Sequence, residues 1–151
     1  MTYELDEKDL KILGVLKDHG EYTTRQIAKK TLLPATTIHN RIRTLREEKV
    51  IRKYTIKIDP AAMGKSFVAY VLISADLGIL KQKKKTQYDL ASELRTFSFV
   101  ERADIVSGGT DIVALIRVKD VDEFDKVLLG KLQLIEGIEK TQSMIVIHKG
   151  S

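Results

Sequence analysis

Side chains that can pair with the edges of nucleic-acid bases are concentrated in the stretch PATTIHNRIRTLREEKV, residues 34–50. The amide of Asn40 can pair bidentately with adenine, Arg43 can do so with guanine, and His39 can donate or accept a hydrogen bond. Thr36 and Thr37 offer hydroxyl groups, and their methyl groups suit thymine. The stretch could therefore read base pairs if one helix face presents these groups together.

The apolar residues of the same stretch predict such a helix. Ile38, Ile42 and Leu45 recur at intervals of four and three, which makes one buried stripe in a helix that opens at Pro34. This leaves Thr36, Thr37, His39, Asn40, Arg43 and Arg46 facing outward. A lone basic helix is more commonly a solvated surface, so its neighbours along the chain decide the interpretation.

Two helices are predicted before it. The first extends from about Leu5 to Asp18 and begins with an acidic pair, Asp6 and Asp9. Its expected inner face comprises Leu10, Ile12, Leu13 and Leu16. Thr23 or Thr24 can cap the second helix, whose inward residues are Ile27 and Ala28. After the third helix, VIRKYTIKI (residues 50–58) alternates with a period near two, which predicts a β-wing.

Three short helices and a wing make a winged helix-turn-helix, which commonly places its third helix in the major groove of DNA. The predicted DNA-contacting residues are Thr24, Arg25, Thr36, Thr37, His39, Asn40, Arg41, Arg43 and Arg46. Of these, Thr24, Arg25, Arg41 and Arg46 are expected at phosphates, together with Lys29, Lys30, Arg52 and Lys53. Two alternatives stay open: Arg41 could pair with an acid of the first helix, and His39 could pack against Pro34.

The charge distribution favours an anionic partner for this half. The net charge of the chain is +5 and its isoelectric point is near 9.3. Residues 22–58 hold ten Lys and Arg against two acids, a net of +8, whereas residues 59–151 hold 13 of each. The positive charge is thus confined to the segment that carries the predicted helices two and three.

The second half predicts a different architecture. Its apolar patterns follow the order βαββαβ, which is the ferredoxin-like arrangement of a sheet with helices on one face. The expected fold is therefore α+β, with a winged helix-turn-helix in residues 1–59, a linker in 60–65 and the ferredoxin-like domain in 66–151. The uncovered face of the sheet predicts a partner subunit.

Several classes of function are disfavoured. The chain has no Cys, which excludes disulfides and thiolate metal sites, and its three His residues have no neighbouring titratable cluster. We expect no catalytic residues, metal site or cofactor. The acidic start of the chain does not resemble a secretory signal, and no apolar run reaches the length of a membrane span, so we expect a cytoplasmic protein with no membrane partner.

Motifs along nearly the whole chain resemble the Lrp/AsnC family, the feast/famine regulatory proteins, in a form typical of archaea. They comprise LDEKDLKIL, the segment TTRQIAKKTLLPATTIHNRIRTLREEKVIRKYTIKIDPAAMG, and SGGTDIVALIRV with IEGIEKTQSMIVI in the second half. The resemblance implies a sequence-specific regulator of transcription that binds palindromic double-stranded DNA sites. It also implies a homodimer formed through the second domain, often assembled into an octamer, and an amino-acid effector.

The resemblance places the effector near a Gly-x-x-Asp turn between the second and third strands. Here the expected residues are Ser107, Gly108, Gly109, Thr110 and Asp111, with Thr141 and Ser143 as supplementary ligands. Backbone N–H groups of such a turn can hold a carboxylate, and Asp111 can hold an ammonium group. The alternative is that the glycines only close a hairpin in which Asp111 bonds its own turn.

The basic segment LKQKKKTQ, residues 80–87, is longer than the usual family connection and is interpreted as a solvated loop. Two alternatives for this segment are a second DNA contact and an oligomer contact. The DNA contact would suit a second candidate function, a weakly specific architectural protein around which DNA wraps. Besides the sequence-specific regulator and the architectural protein, a third candidate function is an amino-acid sensor that acts through hetero-oligomers with paralogues.

Overall fold

The computed structural model describes residues 3–150, which form two compact units that divide between Lys57 and Ile58. None of the helices in this range combines the length and the apolar composition that a membrane span requires. The first unit contains the helices α1 (Glu7–Asp18), α2 (Thr24–Thr31) and α3 (Ala35–Glu47). The second contains a four-stranded sheet and three further α-helices.

The helices of the first unit begin where the sequence predicts caps. The Asp6 side chain accepts from the backbone N–H of Asp9, and the Asp9 side chain accepts from that of Asp6, which makes a capping box at the start of α1. Thr23 and Gln26 make the same reciprocal pair at α2. The helix α3 follows Pro34, as expected from the fixed φ of proline at a helix start.

A small core holds the three helices together. Ile12, Ile27 and Ile38, one from each helix, are buried and in contact, and the side chain of Leu45 is fully buried. The prediction for Leu10 is wrong, because 57% of this residue is exposed. The buried face of α1 follows Asp9 and Ile12, and Leu10 is rotated about 100° from Asp9 around the helix.

The predicted β-wing is not formed. Residues 52–59 pair with no strand in the described part of the chain, although Tyr54, Ile56 and Ile58 alternate with more polar neighbours as in a strand. A strand needs a neighbour for its backbone groups, and the turn at Asp59–Pro60 follows before a second strand can form. The alternating segment therefore leaves its apolar side chains exposed.

The second unit has the predicted βαββαβ order. Its strands are β1 (Phe67–Ala75), β2 (Val100–Ile105), β3 (Ile112–Val118) and β4 (Ile138–Ile145), arranged as β2-β3-β1-β4 with antiparallel neighbours. The helices are α4 (Leu77–Gln82), α5 (Gln87–Arg95) and α6 (Val121–Gly130), and a 3-10 turn spans Leu132–Leu134. The core lies on one face of the sheet, under α5 and α6.

The other face of the sheet, here called the open face, changes character along the strands. The register aligns Leu115, Tyr70 and Met144 across β3, β1 and β4 in one row. The row towards the end of β1 pairs Ser74 with Lys140. Because opposed residues of antiparallel strands share a face, the open face is apolar at its centre and polar at this end.

The basic segment after β1 differs from the predicted solvated loop. Its first residues belong to the short helix α4, which is capped by Asp76 and buries Leu80. Gly137 has φ +100°, and a Cβ there would lie 2.5 Å from the Leu80 side chain, so this close approach requires glycine. The end of the segment leads directly into α5.

Candidate functional site

The helix α3 presents the predicted base-pairing side chains on its solvated side. Thr36, Asn40 and Arg43 follow each other at intervals of four and three and are exposed, opposite the buried Ile38 and Leu45. Within residues 3–150 neither the Asn40 amide nor the Arg43 guanidinium has a hydrogen-bonding or ionic partner. These groups are therefore available to an external ligand.

Basic residues flank this face. His39, Arg43, Arg46 and Arg52 line one depression of about 580 Å³, to which Glu47 contributes the acidic group. Arg25 is exposed and Thr24 half-buried in the first turn of α2, and Thr37 is half-buried on α3. The structure thus brings Arg52, from beyond the helix, to the side chains of Arg43 and Arg46.

Arg41 is the exception among the predicted contacts. Its guanidinium contacts the carboxylate of Asp6 and lies 3.4 Å from that of Asp9, which is fully buried and also accepts from the Tyr3 hydroxyl at 2.9 Å. The Asp6 contact raises the pKa of Arg41, and the Asp9 N–H with Arg41 lowers the pKa of the Asp6 carboxyl. The sequence left two roles open for Arg41, a phosphate contact and an ion pair with an acid of the first helix. The structure shows the ion pair.

In the second unit, the predicted effector turn is the loop between β2 and β3. Gly108 adopts φ +135°, which requires glycine, and Ser107, Gly108 and Gly109 are exposed. Asp111 does not bond its own turn: one carboxylate oxygen accepts from Ala75 N–H at 2.8 Å and the other from the Gln87 side-chain amide at 2.8 Å. Asp111 thus ties the loop to the end of β1 and to the start of α5.

A cavity of about 350 Å³ opens beside this loop on the open face. It is lined by Leu72, Ser74, Gly109, Thr110, Lys140 and Gln142. The Thr110 hydroxyl donates to the Ile73 carbonyl at 2.9 Å, which fixes that side chain at the rim. Lys140 and Gln142 were not among the predicted ligands. Successive side chains of β4 point to opposite faces of the sheet, and only the strand pairing decides which of them face the cavity.

The predicted supplementary ligands lie elsewhere. Thr141 and Ser143 are paired with Ile73 and Val71, whose side chains are buried on the helix-covered face. The Thr141 hydroxyl accepts from the Gln133 amide at 2.8 Å. The structure therefore does not bring Thr141 and Ser143 to the cavity at Gly109 and Thr110, which lies across the sheet.

The lysines between α4 and α5 are partly neutralised. Lys83 lies 3.6 Å from Glu136, and Lys85 lies 3.6 Å from Glu93. Exposed pairs of this kind contribute little to stability, but they lower the positive charge that the segment presents to solvent. The segment is therefore a less positive surface for an anionic ligand than α3 and its neighbours.

Comparisons with known proteins agree with both units. Residues 5–52 match the family described as winged helix-turn-helix DNA-binding, and residues 68–149 match the Lrp/AsnC ligand binding domain. Similar relatives include the HTH-type transcriptional regulator FL11 of Pyrococcus horikoshii, which is 38% identical over 151 residues, covering 99% of this chain and 95% of the relative. LrpA of the same organism is 29% identical over 145 residues, with 96% and 98% covered.

Solved structures share the fold. A transcriptional regulator of Neisseria meningitidis in complex with L-Met superposes with a TM-score of 0.88 at 23% identity, covering 97% of this chain and 92% of that one. Escherichia coli AsnC gives 0.85 at 22% identity, with 97% and 95% covered. The expected α+β fold is confirmed by these matches. With its helix-turn-helix unit and its ligand-binding unit, the chain belongs to the Lrp/AsnC family of transcriptional regulators.

Proposed function

We propose that α3 reads the sequence of double-stranded DNA from the major groove. The observation that carries this proposal is the exposed, unpartnered pair Asn40 and Arg43, at a spacing of three residues above a buried stripe that fixes the orientation of the helix. His39, Thr36 and Thr37 flank the pair. Arg25, Arg46 and Arg52 contact phosphates, and Thr24 adds a hydroxyl at the start of α2.

Arg41 is not among these DNA contacts, because its guanidinium is held by the carboxylates of Asp9 in α1 and of Asp6, the residue that caps this helix. Phosphate would have to compete with Asp6 and with a buried Asp9 for the same group. Arg41 instead fixes α3 against α1, so its contribution to DNA binding is the orientation of the reading helix.

We further propose that the working unit is a homodimer, which assembles into larger oligomers such as octamers. The apolar row of Leu115, Tyr70 and Met144 supports this, since 43% of Tyr70 and 46% of Met144 are exposed in one chain. The Nη1 atom of Arg117, on the same strand as Leu115, is buried without a partner in the described chain. A second copy on the open face would cover the row and could supply an acceptor.

A twofold dimer presents two α3 helices, so its DNA site is an imperfect palindrome with half-sites about one helical turn apart. An amino-acid effector bound near the loop of residues 106–111 favours one assembly over another, and DNA senses the resulting spacing of the two helices. This mechanism belongs to the compartment that holds the chromosome, and we therefore assign the protein to the cytoplasm.

The experiment is selection of bound sequences from random duplex DNA at two salt concentrations, with the full-length protein and two arginine variants. Arg43→Ala should relax the preference at one position of each half-site by about 1–3 kcal/mol. Arg25→Ala is the matched control, because loss of a phosphate contact should weaken all sequences alike and reduce the salt slope by about one.

The same experiment tests the architectural alternative. A selected pool without any preferred sequence, whose binding collapses as salt rises, would contradict sequence reading and indicate wrapping through phosphates. The ion pairs of Lys83 and Lys85 argue against that function, because they reduce the charge available along the second unit. Co-purification of a paralogue would instead indicate a sensor that works in hetero-oligomers.

A further inference from the structure

The cavity beside residues 106–111 has the electrostatics of an anion site. Of the described residues that line it, Lys140 is the one that carries charge, and no carboxylate faces it. The lining also provides the hydroxyl of Ser74, the amide of Gln142 and the apolar side chain of Leu72. Its volume of about 350 Å³ lies within the range of small-molecule sites.

Two of the residues that line this space carry donors without a partner in the described chain. Lys140 is directly opposite Ser74 in the register of β4 and β1, and within residues 3–150 its ammonium group has no ionic partner. The N–H of Gly109 has no acceptor in the same range, and a Cβ built on Gly109 would meet nothing within 4 Å. Open backbone beside a lysine is an arrangement that suits a carboxylate.

The residue that was expected to bind an ammonium group already accepts two hydrogen bonds from the protein. Both carboxylate oxygens of Asp111 accept hydrogen bonds from groups of the protein, at 2.8 Å from Ala75 N and at 2.8 Å from Gln87 Nε2. Asp111 is also not part of the cavity lining. A ligand in this cavity therefore gains its ionic contact through its acid end.

We propose that Lys140 binds the carboxylate of the effector, together with Gly109 N–H, and that the site takes 2-oxo acids as well as amino acids. This inference rests on the effector part of the proposed function and names the group by which the ligand is held. The remainder of the ligand lies over Leu72, towards the apolar centre of the open face. The α-ammonium group contributes little to affinity, since no acid among residues 3–150 lines the cavity.

The test is isothermal titration calorimetry of the full chain with each of the twenty amino acids, and then with the 2-oxo acid and the amino alcohol of any that binds. We expect the 2-oxo acid to bind within about tenfold of the amino acid. The amino alcohol, which lacks the carboxylate, should lose binding. Lys140→Gln should weaken carboxylate binding about tenfold or more, because it removes a charge-assisted hydrogen bond.

Two further variants separate charge from folding. Lys140→Arg keeps the cation and should keep most of the affinity, and Lys126→Gln changes an exposed lysine of α6, so it should bind as the wild type does. Unchanged binding by Lys140→Gln, or binding of the amino alcohol as tight as that of the amino acid, would overturn the assignment and leave the effector function standing. If none of the twenty amino acids binds the wild type, both are overturned, while DNA selection still tests the regulator itself.

Discussion

Removal of the Asp111 carboxylate separates a structural role from a role in ligand binding. In the structure this carboxylate joins three elements: the loop after β2, the last residue of β1 and the first residue of α5. We expect Asp111→Ala to destabilise the second unit even when no amino acid is present. If Asp111 served only to bind a ligand, its replacement would leave the stability of the unliganded protein unchanged.

The magnitude follows from the two hydrogen bonds. The bond from Ala75 N–H is made by a residue that is 6% exposed, so the donor would be left without water as well as without its acceptor. Hydrogen bonds to charged groups contribute about 1.5–3 kcal/mol each when buried. Gln87 is half-buried and can turn its amide to water, so its share is smaller. The total is about 2–4 kcal/mol.

The assay is guanidinium denaturation without amino acids at one fixed protein concentration, combined with hydrogen exchange of the peptides that contain Ala75. Faster exchange should be confined to the end of β1 and the start of α5. Asp111→Asn is the informative partner variant, because its amide oxygen can still accept from Ala75 and the Gln87 amide can rotate to match it. It should recover most of the stability.

Ser107→Ala is the control, since Ser107 is exposed in the same loop and makes no side-chain hydrogen bond within residues 3–150. Its stability should remain within about 0.5 kcal/mol of the wild type. Wild-type stability and wild-type exchange in Asp111→Ala would refute the reasoning. Asp111 would then be available to an ammonium group, and the carboxylate-only site beside Lys140 would lose one of its arguments.

Three further predictions concern single positions. Gly108→Ala should destabilise the loop by about 1–3 kcal/mol, because alanine is strained at φ +135°, and a lowered denaturation midpoint of the second unit would show it. Ile38→Ala should cost the first unit about 2–5 kcal/mol, whereas Leu10→Ala should cost little, and equal losses in thermal unfolding would contradict the assigned core. The lowered pKa of Asp6, due to the Asp9 N–H and to Arg41, stabilises the first unit above the usual carboxyl pKa of 3.8, and this contribution is lost as the pH falls through the pKa of the folded state. Asp6→Asn should therefore flatten the decline of stability below pH 4, and an unaltered acid titration would exclude the pair as its cause.

The sequence by itself determined most features that depend on neighbours along the chain, although the inward position of Leu10 and the loop at residues 80–87 were predicted wrongly. The capping boxes at Asp6 and Thr23 and the stripe of Ile38, Ile42 and Leu45 need only the helical period. The order βαββαβ is equally local, because the apolar period and the flanking turn residues of each segment indicate its secondary structure. The concentration of positive charge in residues 22–58 and the motifs shared with the Lrp/AsnC family belong to the same class.

The tertiary structure decided the contacts between residues that are far apart in the chain. Arg41 meets Asp9 across 32 positions, and Asp111 meets Ala75 across 36, so no local pattern could choose between a ligand contact and a protein contact for either. The wing failed as a prediction because alternation describes one strand but does not supply its partner. Lys140 rather than Thr141 lines the cavity for a similar reason: strand pairing fixes which face a side chain occupies, and a shift of one residue reverses it.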